Sequence, residues 1–243
     1  MSETVNIHSL ETFGAADGPG IRFVVFLQGC KMRCKYCHNP DTWNMTGGEP
    51  MTAEQILEKA MRYKAYWKDE GGITVSGGEP LLHINFVTEL FRLAKKENVS
   101  TVIDTAGNPF SRSEPFFSEF NELMKYTDLL MLDIKEADPS RHKTLTGADN
   151  KNILDMAEYL SEIGKPVWIR HVLVPGYSDF DEDLKKLADF ISKLKNVKKT
   201  EILPYHSLGA FKWEKLGIPY ELNKVSPPSE ERIKNAEKIL CGK

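Results

Sequence analysis

The sequence predicts an α/β fold, an incomplete barrel of six strand–helix units. Three observations predict it. Six short β-branched or aromatic runs recur along the 243 residues. Longer segments with helical spacing alternate with them. No linker-like tract divides the chain, so residues 1–243 are expected to form a single domain. Strands that alternate with helices pair in parallel through right-handed crossovers. An open doubly wound sheet satisfies the same pattern. A complete eight-fold barrel takes ~250 residues and two strands more than can be counted, which favours a partial, TIM-like (β/α)6 barrel.

The runs that read as strands are Arg22–Leu27, Ile73–Val75, Thr101–Thr105, Leu129–Ile134, Val167–Val174 and Glu201–Leu203. Several are apolar enough to be buried on both faces, as in parallel sheets. The helical segments are Thr52–Trp67, Ile84–Glu97, Pro115–Tyr126, Asn152–Ile163, Phe180–Leu194 and Ser229–Leu240. Thr52, with Glu54 and Gln55 behind it, is a helix start signal. Gly71–Gly72, Asn108–Pro109, Gly164 and Pro175–Gly176 mark the turns.

Both architectures place chemistry at the carboxyl ends of the strands. The unusual polar residues fall there: the cysteines after the first run, Ser76–Pro80 after the second, Asp104-Thr105, Asp133 and Lys135, and Pro204-Tyr205-His206 after the last.

Composition narrows the class. With 32 basic and 35 acidic side chains the net charge is −3, which argues against a nucleic-acid or anionic-membrane binder. No apolar run reaches the ~18 residues of a spanning helix. Residues 1–11 are polar rather than signal-like, so a cytoplasmic location is expected. Four cysteines, three of them within eight positions, point to metal or redox chemistry rather than bridges. Cys241 reads as a lone thiol, and His8, His83 and His142 read as surface residues. His171 has the opposite parity to Arg170 and is expected on the outer face of the barrel.

Cys30-Lys31-Met32-Arg33-Cys34-Lys35-Tyr36-Cys37-His38 carries the main signal. Soft thiolates favour zinc, copper or iron–sulfur clusters. A zinc site needs a fourth ligand, and His38 adjoins Cys37 awkwardly. Cys34-x-x-Cys37-His38 matches a haem-attachment pattern but leaves Cys30 unused. Three cysteines on a four-iron cluster leave one iron open for chemistry.

The C-x3-C-x2-C loop with an aromatic before its last cysteine resembles that of the radical S-adenosylmethionine (SAM) enzymes. Further motifs occur in order: Asp17-Gly18-Pro19-Gly20-Ile21-Arg22, Gln28-Gly29, His38-Asn39-Pro40-Asp41-Thr42-Trp43, Gly77-Gly78-Glu79-Pro80, Asp104-Thr105, Met131–Lys135, Val167–Arg170 and Leu203–His206. The set resembles the glycyl-radical activating enzymes, in the simpler form without a cysteine-rich insert.

The resemblance implies an oxidoreductase in which a [4Fe-4S] cluster on Cys30, Cys34 and Cys37 reductively cleaves SAM. The resulting 5′-deoxyadenosyl radical takes a Cα hydrogen from a glycine of a protein partner. It implies pyruvate formate-lyase as that partner, with another glycyl-radical enzyme, such as the anaerobic ribonucleotide reductase, or a small-molecule substrate as alternatives. It further implies that Tyr36, Cys37, His38, Gly77, Gly78, Glu79, Asp133, Ile134, Lys135, Arg170 and His206 contact SAM. Asp104, Thr105, the Met131 carbonyl and Asp133 would surround a monovalent cation, Na+ or K+. A monomer is expected, reduced by flavodoxin or a ferredoxin-like donor. Lys31, Arg33 and Lys35 read either as solvated loop charge or as the docking patch for that donor, and Asp17–Gly20 as a flexible loop over the substrate peptide.

Overall fold

Among the described residues eight strands form where the sequence predicts six. The computed structural model describes residues 3–242. The predicted runs become β2 (Arg22–Leu27), β4 (Gly72–Gly77), β5 (Ser100–Thr105), β6 (Leu129–Asp133), β7 (Val167–Leu173) and β8 (Val197–Pro204). The additional strands are β1 (Thr4–Gly14) and β3 (Glu49–Thr52). Both evade a reading by apolar runs. Only Val5, Ile7 and Gly14 of β1 are buried. β3 carries Pro50, which cannot donate to a ladder and is tolerated because β3 is an edge strand.

The strand order is β3-β1-β2-β4-β5-β6-β7-β8, with two ends, so the sheet is not closed. β1 runs antiparallel to β2 and β3, whereas the β2–β4, β4–β5 and β7–β8 pairs are parallel.

The predicted helices are α1 (Ala53–Met61), α2 (Ile84–Lys96), α3 (Phe116–Tyr126), α5 (Lys151–Glu162), α6 (Asp181–Ser192) and α8 (Glu230–Cys241). Two more were not anticipated, α4 (Pro139–Thr146) and α7 (Ala210–Lys215). Thr52 closes a capping box on α1: its hydroxyl accepts from the Gln55 N–H, and the Gln55 side chain accepts from the Thr52 N–H. The α4 signal was present in Asp138, Pro139 and Gly147. The Asp138 carboxylate accepts from the Ser140 and Arg141 N–H groups, and Gly147 closes the helix in the left-handed conformation.

Contacts divide the chain into two units. One holds the chain up to Lys31 with Thr42–Thr105 and Pro109–Met131. The other holds Met32–Asp41, Ala106–Asn108 and the chain from Leu132. The core of the first lies between β2, β4 and β5, buried on both faces, and the apolar side of α2 (Ile84, Phe86, Val87, Leu90, Phe91, Ala94). Each full burial of such a large side chain stabilises by about 1.5–3 kcal/mol. The second unit buries Leu173 of β7 with Leu184 of α6 and Ala236 of α8.

Arg22 opens β2 and is fully buried. Its guanidinium donates to the carbonyls of Glu70 (3.1 Å), Ile73 (2.7 Å) and Ser100 (3.2 Å) and to the hydroxyls of Thr74 (3.0 Å) and Ser100 (3.1 Å). Burial pulls its pKa down to about 10, which leaves it charged at neutral pH. The Asp17 carbonyl accepts from Thr74 (2.7 Å), and Gly18 packs beside Val102 and Arg22. Asp17–Gly20 is thus anchored beside the start of β2, at the end of that strand away from the cysteines, and not free as the sequence reading had it. Arg22→Met strips donors from buried carbonyls, and urea unfolding should show a loss of about 3–5 kcal/mol.

Candidate active site

In the first unit, β2 leads directly into the cysteine loop. Past Gln28, whose N–H still donates to the Asn6 carbonyl of β1 (2.9 Å), no strand ladder continues, so neighbours take over the loop's backbone groups. The Gly29 N–H donates to the Thr42 carbonyl (2.7 Å) and the Cys30 N–H to the Trp43 carbonyl (3.3 Å). The Gly78 and Glu79 N–H groups donate to the carbonyls of Leu27 (2.9 Å) and Gly29 (2.8 Å). This explains the glycine pair. A Cβ on Gly77 would lie 2.2 Å from the Leu27 nitrogen, and one on Gly78 2.1 Å from the Gly29 oxygen. Gly77 also has φ +111°. The glycines admit the backbone that enters the cysteine loop, a demand that exists whether or not a ligand also approaches.

Glu79 is buried; its carboxylate caps the short 3-10 turn Pro80–His83 through the Leu81 N–H (3.1 Å) and accepts from the Thr105 hydroxyl. Asp104, at the end of β5, accepts from the Ser76 hydroxyl at 2.8 Å.

In the second unit, the middle of the loop docks on the carboxyl end of α4. The Arg33 N–H donates to the Thr146 carbonyl (2.8 Å) and the Lys35 N–H to the Leu145 carbonyl (2.9 Å). Terminal helix carbonyls have no intrahelical donor, so helix end and loop satisfy each other. Lys35 is not a solvated charge: it pairs with Glu221 and lies 6.0 Å over the Tyr177 ring. Lys31 and Arg33 are exposed. His38 stacks on His206 with ring centroids 4.3 Å apart, and its Nε2–H donates to the His206 carbonyl (3.1 Å). Burial lowers the His38 pKa, favouring the neutral ring.

The end of β6 brings an acid and a base together. Asp133 and Lys135 meet at 3.0 Å, and the Lys135 ammonium lies 5.5 Å from the Tyr36 ring centre. Burial alone would raise the Asp133 carboxyl, but Lys135 and Arg170 outweigh it and hold it below its usual range. Burial would lower Lys135, yet Asp133 and Tyr36 keep it well above. Burial drives the Tyr36 phenol far up. The Asp133 Oδ1 atom is buried and accepts no hydrogen bond. Arg170 also receives the Ile134 N–H on its carbonyl (3.0 Å), which ties the Asp133–Lys135 stretch to β7.

One histidine lies elsewhere than expected. His142, expected at the surface, is fully buried on the inner side of α4, with Nδ1 facing the Ala148 carbonyl at 2.8 Å. The polar neighbours of a helix reveal its buried face only once its partners are known. His171 is buried, its two ring nitrogens facing the carbonyls of Ile134 (2.9 Å) and Ser178 (2.8 Å). Burial lowers its pKa.

Sequence reasoning missed Glu136, Trp213 and Lys212. Glu136 follows Lys135; it is buried, its Oε1 accepts from the Asp138 N–H (2.9 Å), and its Oε2 is without a partner. Burial pushes its pKa up to about 7. Lys212 reaches Asn39 (2.8 Å) and Asp41 (3.1 Å), and the Trp213 indole N–H donates to the Cys37 carbonyl (2.8 Å). No local pattern announces these contacts. Cys241 ends α8 with its thiol toward the Thr200 carbonyl at 3.4 Å.

Among the described residues no three His, Cys, Asp or Glu side chains converge on one ion. A four-iron cluster does not ask for that, because its thiolates bind different irons. The residues present fit a cluster and a zwitterionic ligand: three thiols on one short loop, and a buried acceptor at Asp133 Oδ1 with spare capacity.

The profile of the radical SAM superfamily matches residues 24–191, and the chain belongs to that superfamily. Its cofactors are a [4Fe-4S] cluster and SAM. The chain is 54% identical over 236 residues to a pyruvate formate-lyase-activating enzyme of Streptococcus mutans, covering 96% of this chain and 90% of the relative. It is 48% identical to that of Listeria monocytogenes, covering 99% and 98%. A solved domain of such an enzyme from Bacteroides vulgatus superposes with TM-score 0.58 at 26% identity, covering 71% of this chain and 94% of that one.

Two outcomes follow from the charges. Asp133→Asn leaves Lys135 buried without its counter-ion and should lower stability by about 3–5 kcal/mol near neutral pH in denaturant titrations. Because the Asp133 pKa is depressed, its contribution is present above the unfolded value of about 3.9 and fades only as pH falls through the still lower folded value. Glu136 has the opposite sign. Its raised pKa makes it a liability that grows from about pH 4.5 to beyond 7. Glu136→Gln should therefore leave stability at pH 4 nearly unchanged and raise it by roughly 1–3 kcal/mol at pH 8.

Proposed function

We propose that this chain activates pyruvate formate-lyase by installing a glycyl radical on it. Identity of about half the residues over 96% of the chain with an enzyme of that name carries the reading. Cys30, Cys34 and Cys37 would hold the cluster beside SAM. When bound, cluster and SAM would supply a one-electron reductive cleavage that releases methionine and lets the deoxyadenosyl fragment take a Cα hydrogen from the partner's glycine, leaving 5′-deoxyadenosine.

The chain's own residues bind and orient. Tyr36, His38 and His206 hold the adenosine end, and the stack of His38 on His206 supports that role. Gly77, Gly78 and Glu79 receive the ammonium. Asp133, Ile134 and Lys135 line the ligand, with Arg170 supplying positive charge to the carboxylate. Asp104, Thr105, the Met131 carbonyl and Asp133 provide hard oxygen ligands for Na+ or K+. Residues 1–243 act as one radical SAM domain, as a monomer in the cytoplasm. No helix of the described residues is long and apolar enough to cross a membrane. The reductant is flavodoxin or a ferredoxin-like protein, received by the exposed Lys31 and Arg33.

Anaerobic reconstitution with iron and sulfide tests this. The protein should turn brown, and with reductant, SAM and pyruvate formate-lyase it should give a glycyl-radical resonance and one deoxyadenosine per radical. Cys34→Ala should abolish both signals. Deoxyadenosine release with no radical on the lyase would transfer the reading to another substrate.

A further inference from the structure

We propose that Trp213 is the positioning residue for the third cysteine: its indole N–H fixes the Cys37 carbonyl and thereby aims the Cys37 thiol and the His38 ring. The inference rests on the cluster-binding role of Cys37 given above.

Each peptide unit is planar, so pinning its N–H or its carbonyl pins the whole plane. Two planes meet at the Cα of Cys37. The Cys37 N–H donates to the Cys34 carbonyl at 3.0 Å, which holds the plane before it. The Trp213 indole donates to the Cys37 carbonyl at 2.8 Å, which holds the plane after it. With both planes held, the thiol keeps only its χ1 rotamers. Without the indole, the second plane loses this restraint, φ and ψ of Cys37 are less narrowly set, and a change in φ redirects Cβ.

That second plane also leads into His38, where the same segment holds the chain again. Gly209 packs on His38 so closely that a Cβ there would lie 2.7 Å from the His38 Cα. The His206 ring covers the His38 ring. Lys212 ties down Asn39 and Asp41 beyond it. Residues 206–213 thus grip residues 37–41 at successive positions.

Trp213 is itself held. It is 4% exposed and meets the Tyr220 ring edge-on, with centroids 5.3 Å apart at 63°. The Tyr220 and Tyr205 hydroxyls bond each other at 2.8 Å, and the Tyr205 N–H donates to the Leu173 carbonyl at the end of β7 (3.2 Å). A chain of contacts runs from β7 to Cys37. α7, only six residues long and carrying its apolar Phe211 half in solvent, serves to present the indole.

Trp213→Phe keeps the ring and removes the donor. Hydrogen exchange on the cluster-free protein reads the clamp without any cofactor: exchange at Cys37 and His38 should quicken several-fold while β7 stays protected. The melting temperature should move by only a few degrees. On the reconstituted protein, iron loss to a chelator should quicken, and SAM binding, read by the change it makes in the resonance of the reduced cluster, should weaken, each by about tenfold, the lower end of what supporting partners of metal ligands contribute.

Gly209→Ala presses on His38 but not on Cys37. It should weaken SAM binding with iron retained, and it stands in if the tryptophan variant fails to fold. Phe211→Ala on the exposed side of α7 should match the wild type throughout. Wild-type exchange at Cys37 and His38 in Trp213→Phe, or wild-type iron retention and SAM binding, overturns the proposal. A wild-type protein that shows the clamp by exchange yet assembles no cluster sinks the functional reading instead.

Discussion

A loop that carries three cysteines within eight positions has no ladder of its own, and its backbone polar groups have to be satisfied from elsewhere. Much of this fold follows from that constraint. Past Leu27, Gly29 and Cys30 donate to Thr42 and Trp43. Further along, Arg33 and Lys35 donate to the terminal carbonyls of α4. At the far end, the Cys37 carbonyl receives the Trp213 indole. Each support comes from a segment remote in sequence. None of the donors or acceptors is spare: the α4 carbonyls lie at a helix end, and the Gly29 carbonyl takes the Glu79 N–H.

The second constraint is charge. The end of β6 buries a carboxylate, an ammonium and a phenol together. Such a group is tolerated only because Asp133 and Lys135 neutralise each other, and a pair of this kind contributes less to stability than its geometry suggests. Its value lies in what it leaves over. One Asp133 oxygen is engaged by Lys135, and the other has no partner. A buried acceptor without a donor costs free energy. Glu136, one residue after Lys135, shows the same tension in an acid kept close to neutral by burial.

The glycine-rich turn after β4 shows how one motif serves two masters. Its glycines are required by the backbone of residues 27–29, which lies where their Cβ atoms would be. A glycine pair beside a cysteine loop is therefore not by itself a mark of ligand contact. Arg22 gives the matching lesson at the other end of β2. It belongs to a motif that reads as functional, and the structure uses it to bind the starts of β2, β4 and β5 into one piece.

The sequence by itself determined the class and most of the frame. The six β/α units were legible because a strand buried on both faces needs a continuous apolar run, and a helix over it needs an apolar stripe. The cysteine loop was legible because ligand spacing within nine residues is a local property. What was not legible depended on contacts between distant segments. β1 and β3 have too little apolar periodicity to stand out, and they exist because β2 offers an edge to β1 and β1 in turn offers one to β3. The fates of His142 and His171 were set by backbone carbonyls brought to them by turns. α7 and Trp213 gave no pattern, because a six-residue helix with one buried tryptophan acquires its purpose only when the chain returns past residue 205 to meet Cys37. Local periodicity chose the elements; which backbone groups were left needing partners, and who supplied them, was decided by the packing of the whole chain.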